Sequence, residues 1–122
     1  MNTLTPFGKE VRKLRIDHGT KLKDLAEHLK VSSAYLSAVE TGKKDLTEHV
    51  IEGVVKFFRL DRIDAMRLRS VADKSRHAVR IELKGVREPD RELAAVFARR
   101  FEDGTINAST AEKIMKLLKE GG

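Results

Sequence analysis

The sequence predicts a mainly α-helical fold with one β-strand, and two observations carry this prediction. Over most of the chain, apolar residues recur at intervals of three and four, the period of a helix that buries one face. Between His77 and Gly85, the run "HAVRIELKG" alternates strictly between apolar and polar residues, which is typical of a half-buried strand. At 122 residues, the chain can form one ordinary domain or a small domain with an accessory segment.

Five helices are expected before the strand, and their ends carry residues suited to capping. Thr5 can cap the first helix, Pro6 fits its first turn, and Gly19 can end it. Ser32 and Thr47 are the expected caps of the third and fourth helices. The five helices should cover about 6–18, 22–29, 33–40, 48–60 and 62–73. The last of them should turn four apolar residues inward: Ile63, Met66, Leu68 and Val71.

Two further helices are expected after the strand. Pro89 can start a sixth helix over about 90–102, and Ser109 or Thr110 can cap a seventh. A single strand cannot satisfy its own backbone groups, so we expect it to pair with its copy in a second subunit, or with a short N-terminal or loop segment. The sequence thus predicts a domain over 1–75 and a dimerisation segment over 76–122. The expected dimer contacts are Val79, Ile81, Leu83, Leu93, Val96 and Phe97.

Composition limits the partners and the compartment. The chain carries 25 Lys and Arg against 19 Asp and Glu, so its net charge of +6 favours polyanions such as DNA, RNA or an anionic membrane surface. It lacks cysteine, which excludes disulfides and thiolate metal sites. There is no apolar run of the roughly 18 residues needed for a membrane span, and no signal-peptide core at the N-terminus. We therefore expect a cytoplasmic protein without a membrane partner.

The segment from Leu22 to Lys44 is the most informative part of the chain. Its pattern is that of two short helices joined by a tight turn, followed by a polar loop with two lysines. Its apolar residues fit a small helical core: Leu25, Ala26, Leu29, Val31, Leu36 and Val39. The outer face of the second of these helices is small and polar, as a helix that enters the major groove requires. The segment therefore indicates DNA binding.

The runs "VRKLRIDHG" and "DLAEHLKVSSAYLSAVETGKK" resemble the lambda-repressor/Cro-like helix-turn-helix superfamily, or XRE family, over about 7–60. The resemblance implies a five-helix DNA-binding domain in which one face of the third helix contacts bases, here Ser33, Ala34, Ser37 and Ala38. It also implies phosphate contacts from Lys21, Ser32, Tyr35, Thr41, Lys43 and Lys44. Lys21 stands near a position where many relatives carry a phosphate-binding glutamine. The resemblance further implies that Arg15 pairs with Glu40 in a structural role.

The sequence therefore predicts a homodimeric, sequence-specific regulator, most simply a repressor that binds an inverted repeat in double-stranded DNA near its own gene. An alternative is the antitoxin of a toxin–antitoxin pair, in which the segment after Arg76 binds a toxin. A third is a ligand-sensing regulator with a pocket at a dimer interface. The four histidines lack metal-ligand spacing, and we discern no catalytic arrangement, so we expect no metal, no cofactor and no enzymatic activity.

Overall fold

The computed structural model describes residues 3–121, and seven α-helices lie in that range. They are α1 (Pro6–His18), α2 (Leu22–Leu29), α3 (Ser33–Glu40), α4 (Glu48–Phe57), α5 (Arg62–Ser75), α6 (Glu88–Glu102) and α7 (Ala108–Lys119). The chain divides into two compact units, Met1–Val79 and Arg80–Gly122. None of the helices in the described range combines the length and the apolar composition needed to cross a membrane.

Helix ends in the first unit are capped as the sequence indicates. The Thr5 hydroxyl accepts a hydrogen bond from the Gly8 amide at 3.0 Å, which satisfies a donor that the first turn of α1 leaves free. Gly19 ends α1 with a φ of 64°, in the left-handed region that glycine adopts without steric cost. Ser32 and Thr47 cap α3 and α4 through their hydroxyls. Local side-chain chemistry thus determines where these helices begin.

The predicted strand is wrong. Residues 78–83 have no regular secondary structure, and the structure contains no strand anywhere in residues 3–121. Val79 and Ile81, both on the apolar side of the alternating pattern, are 73% and 62% exposed, so the side that a half-buried strand would cover is open to solvent. A strand needs a neighbour for its backbone donors and acceptors, and the described chain supplies none. The segment therefore offers no strand that could pair with its copy in a dimer.

The first unit has one mostly aliphatic core, built from all five of its helices. Its buried members are Phe7, Val11, Leu25, Ala26, Leu29, Leu36, Val39, Leu46, Val50, Ile51, Val54, Phe58, Leu68 and Ala72. The expectation for α5 was wrong at Ile63 and Met66, which are mostly exposed. At about 100° per residue, they lie on the face opposite Leu68 and Ala72, and α5 packs on α1 through the latter face.

Two close contacts hold α1 against the ends of α3 and α5. The Phe7 amide donates to the Ser75 hydroxyl at 2.9 Å, and that hydroxyl donates to the Val71 carbonyl at 2.8 Å. A Cβ atom on Gly8 would lie 2.2 Å from the carbonyl oxygen of Glu40. Backbone atoms cannot move aside as a side chain can, so only glycine allows α1 and α3 to approach this closely.

The second unit is a helical hairpin with little interior. Across the described residues of α6 and α7, no side chain is fully buried. The Asn107 side chain caps α7 by accepting from the Thr110 amide at 2.8 Å, so the caps expected at Ser109 or Thr110 were wrong. Side chains of α6, α7 and the turn between them line an apolar groove: Phe97, Phe101, Ile106, Ala111, Ile114, Met115 and Leu118.

A buried ion pair links α1 to α3. The guanidinium of Arg15 donates to the carboxylate of Glu40, and the two side chains are only 13% and 5% exposed. Burial raises the pKa of Glu40 above its ordinary value, while the hydrogen bond and charge of Arg15, and more weakly the charge of Arg12, act in the opposite direction. Removal of the Arg15 charge should therefore raise the pKa of Glu40 further.

Arg15→Met should lower the free energy of unfolding by about 3 kcal/mol at neutral pH, because it leaves a buried carboxylate without its partner. The native variant should bind a proton at Glu40 more readily than the unfolded chain does. Its stability deficit should then be largest at neutral pH and shrink as the pH falls toward 4.5, the carboxyl's ordinary value. Urea unfolding at several pH values measures this deficit, and a deficit independent of pH would contradict the assignment.

Candidate nucleic-acid interface

The turn between α2 and α3 is tight because Lys30 adopts a left-handed conformation, with a φ of 61°. The amide of Val31 then donates to the carbonyl of Ala26 at 3.0 Å, which closes the end of α2. At the other end of α2, the backbone amide of Lys21 donates to the carboxylate of Asp24 at 2.9 Å. These bonds define the two ends of α2, and α2, the tight turn and α3 together form a helix-turn-helix arrangement.

Helix α3 has two different faces. Leu36, Val39 and Glu40 are buried against the rest of the first unit. Ser33, Ala34 and Ser37 are exposed, and Ala38 is half-buried beside them. These four are the residues that the resemblance assigned to base contact. They form one surface of small side chains, which we call the open face of α3. Because no long side chain projects from it, the helix backbone can approach the edges of base pairs closely.

The two residues at the start of α3 have defined local roles. The Ser32 hydroxyl accepts from the Tyr35 amide at 3.0 Å, so its own proton remains to donate to another acceptor. The Tyr35 ring is half-buried and packs against the core. Lys21, at the start of α2, is exposed. Lys21 and Ser32 thus directly precede α2 and α3, and Tyr35 lies in the first turn of α3.

The loop after α3 is fixed by hydrogen bonds that converge on one carbonyl. The Ala38 carbonyl accepts from the amides of Lys43 and Lys44, at 2.8 and 3.1 Å. The Thr41 hydroxyl donates to the Ser37 carbonyl at 3.0 Å, and Gly42 turns the chain with a φ of 79°. Both lysine side chains are exposed. The result is a loop with a hydrogen-bonded backbone that presents two positive charges at the C-terminal end of α3.

Positive charge is concentrated in the unit that contains this surface. Residues 1–79 carry 16 Lys and Arg against 11 Asp and Glu, a net +5, whereas residues 80–122 carry 9 against 8, a net +1. A polyanion is attracted to the first unit more strongly than to the hairpin. The described residues contain no group of three or more histidines and carboxylates that could hold a metal ion.

The structure separates the predicted site residues into two groups. Of the ten proposed DNA-contacting residues, five lie in α3 and three in the loop that follows it, while Lys21 and Ser32 are the N-cap residues of α2 and α3. Five of the six proposed dimer contacts lie in the second unit, and Val79 ends the first. Sequence reasoning missed His77, whose Nε2 lies 3.1 Å from the Gly42 carbonyl oxygen. No spacing in the sequence signals this contact, because 35 residues separate the two positions.

Comparison with family models places this surface in a known family. A model described as a helix-turn-helix domain matches residues 6–68, slightly more than half of the chain. The matched range contains α1 to α4 and the first half of α5, and therefore both the open face of α3 and the loop. Comparisons with curated proteins and with solved structures give no match. The chain belongs to the helix-turn-helix family of the XRE/Cro-like type, and its first unit is the DNA-binding domain of a helix-turn-helix regulator.

Proposed function

We propose that this protein is a sequence-specific transcriptional repressor that binds an inverted repeat in double-stranded DNA as a homodimer. One observation carries the proposal: the small-sided face of α3 lies next to a hydrogen-bonded loop with two exposed lysines. A helix of this kind fits the major groove, and the adjacent charges can neutralise phosphates on its rim. Occupation of a promoter by such a dimer blocks polymerase without any chemistry.

The residues of α3 suit a particular kind of recognition. Ala34 and Ala38 can contact thymine methyl groups, while Ser33 and Ser37 can donate to or accept from base edges. None of the four offers the bidentate hydrogen bonds that arginine, asparagine or glutamine makes to a single base. Specificity should therefore depend on close steric fit and on the shape of the DNA as well as on direct contacts. The residues proposed to bind phosphates, and so to fix the register of α3 along the DNA, are Lys21, Ser32, Tyr35, Thr41, Lys43 and Lys44.

Lys43→Ala should weaken binding to every DNA sequence and reduce the steepness of the salt dependence by about 0.9 in log Kd per log salt, because one phosphate contact is lost. Fluorescence anisotropy with operator and random duplexes over a salt series measures both quantities. Lys113→Ala is the matched control, because it removes the same charge from an exposed position in the second unit. An unchanged salt slope in Lys43→Ala would contradict the loop assignment.

Ala38→Leu should abolish preference for the operator while leaving random-sequence binding within about threefold of wild type, because a large side chain keeps α3 away from the base pairs but not from the phosphates. Ala95→Leu, an exposed alanine of α6, controls for the added apolar surface. Binding is measured with operator and scrambled duplexes at one salt concentration. Retention of the wild-type preference would show that Ala38 does not face bases.

The proposed dimer rests on the apolar surface of the hairpin. Leu93, Phe101, Met115, Leu117 and Leu118 are each between 53% and 69% exposed. The apolar side chains of α7 span an arc of about 160° around the helix axis, at 100° per residue: Ile114, Met115, Leu117 and Leu118. A single neighbouring helix covers a narrower arc than this. A two-helix unit without buried side chains has little stability of its own in water. This surface therefore needs a partner.

A second copy of the same hairpin is the partner that the surface fits best. The five exposed residues present on the order of 500 Å² per copy, so two copies approach the roughly 1,200 Å² of small specific interfaces. The hairpin carries nearly equal numbers of both charges, so two copies do not repel each other as two basic surfaces would. Leu93, Val96 and Phe97 remain proposed contacts of this helical interface. The other three predicted contacts, Val79, Ile81 and Leu83, lie in irregular chain. They remain candidates for dimer contacts only in that conformation.

The intact chain should have twice the monomer mass in light scattering at micromolar concentration, and Leu118→Glu should be monomeric, because a charge at the interface must be desolvated. The variant should also lose about 100-fold or more in affinity for an inverted repeat while its affinity for an isolated half-site stays unchanged. Lys116→Glu, on the polar side of α7, is the control and should remain dimeric. A monomeric wild-type chain would refute the dimer.

The antitoxin function remains a second candidate because the same apolar groove of the hairpin could hold a toxin. It predicts a monomer or weak dimer that becomes a stable heteromer with the product of an adjacent short gene. Co-expression of the two genes and mass measurement of the complex distinguish the candidates.

A further inference from the structure

The chain that leaves α5 lies against the loop proposed to bind phosphates. His77 Nε2 lies 3.1 Å from the carbonyl oxygen of Gly42, and a Cβ on Gly42 would lie 3.5 Å from the same nitrogen. The preceding Arg76 points its guanidinium at Glu48, at the start of α4, with 3.9 Å between nitrogen and oxygen. Ser75 is bonded to the start of α1. Three consecutive residues are thus attached to three different parts of the first unit.

We propose that His77 is a further phosphate-binding residue, which extends the surface of Lys43 and Lys44 and binds DNA in its protonated form. The inference rests on the proposed function, because it assumes that the loop faces the DNA backbone. It adds a residue outside the segment matched to the helix-turn-helix family. It also gives the DNA affinity a dependence on pH that the lysine contacts cannot supply.

The geometry determines which form of the ring can bind a phosphate. A carbonyl oxygen only accepts hydrogen bonds, so the Nε2 atom that contacts Gly42 must carry a proton. In the neutral ring, Nδ1 then holds a lone pair and cannot donate to a phosphate oxygen. Protonation at Nδ1 makes both nitrogens donors. One proton is therefore taken from solvent to Nδ1 when the phosphate binds, and it returns to solvent when the DNA dissociates.

The surrounding charges favour an anionic ligand. The charged residues on the loop, at the start of α4 and from the end of α5 to His77 are Lys43, Lys44, Asp45, Glu48, Asp73, Lys74 and Arg76. On α1, the residue next to Gly42 is Thr5, which carries no charge. The carboxylate of Glu48 is already bound by Arg69 at 2.5 Å and approached by Arg76. Four cations stand against three carboxylates in these segments, and Glu48 is already paired, so the local charge balance favours an anion.

The test measures binding to a short random-sequence duplex, because phosphate contacts do not require an operator. Anisotropy titrations at about pH 6 and about pH 8, each over a salt series, are made with wild type, His77→Gln and Lys43→Ala. Glutamine keeps a donor for Gly42 but has no ionisable group. His18→Gln is the matched control. Thr5 and His77 both lie beside Gly42, and His18 lies at the other end of α1, about 20 Å from Thr5 at 1.5 Å per residue.

Wild type and His18→Gln should bind about three- to tenfold more tightly at pH 6 than at pH 8, and their salt slope at pH 6 should be steeper by about 0.9. His77→Gln should lose both effects and match wild type at pH 8. Equal pH dependence in His77→Gln and wild type, or none in wild type, overturns the inference. If Lys43→Ala still weakens binding in that case, the proposed function stands without His77; if it does not, the loop assignment falls as well.

Discussion

The contact between α1 and the C-terminal end of α3 is the constraint on which the DNA-binding unit depends. Glu40 takes part through its carboxylate, which binds Arg15, and through its carbonyl, which accepts from the amide and the hydroxyl of Thr5 at 2.9 and 3.1 Å. Gly8 allows the two backbones to meet. These contacts leave α3 little freedom to rotate about its own axis. The direction in which its open face points therefore depends on a buried ion pair that is not part of that face.

The same constraint extends into the loop that follows α3. Its amides bond to the carbonyl of Ala38, and its Gly42 carbonyl accepts from His77. A loop held in this way restricts its backbone, so the proposed binding of phosphates would cost less backbone freedom. The proposed recognition by small residues on α3 would need such restraint, because steric fit discriminates between sequences only when the helix has one available depth in the groove. Structure and charge thus support a common role for α3 and its loop.

Most of the first unit could be predicted from the sequence because its determinants are local. Thr5, Ser32 and Thr47 cap helices through bonds to amides three residues further along the chain, and Gly19 ends α1 where the pattern indicates. The apolar period identified most of the core, and the family resemblance supplied the pairing of Arg15 with Glu40. These features depend on side-chain type and spacing within one or two turns, or on a motif long enough to be specific.

What the sequence could not determine depended on which surfaces meet. The alternating segment around Ile81 has the pattern of a strand, but a pattern supplies no pairing partner, and without one the backbone stays irregular. Ile63 and Met66 are as apolar as Leu68, and only the position of α5 on α1 decided which face was buried. The contacts of Ser75 and His77 cross 68 and 35 residues, respectively. The sequence by itself determined the helices, their caps and the family; the tertiary structure alone decided burial and long-range bonds, because these require two distant segments to be adjacent.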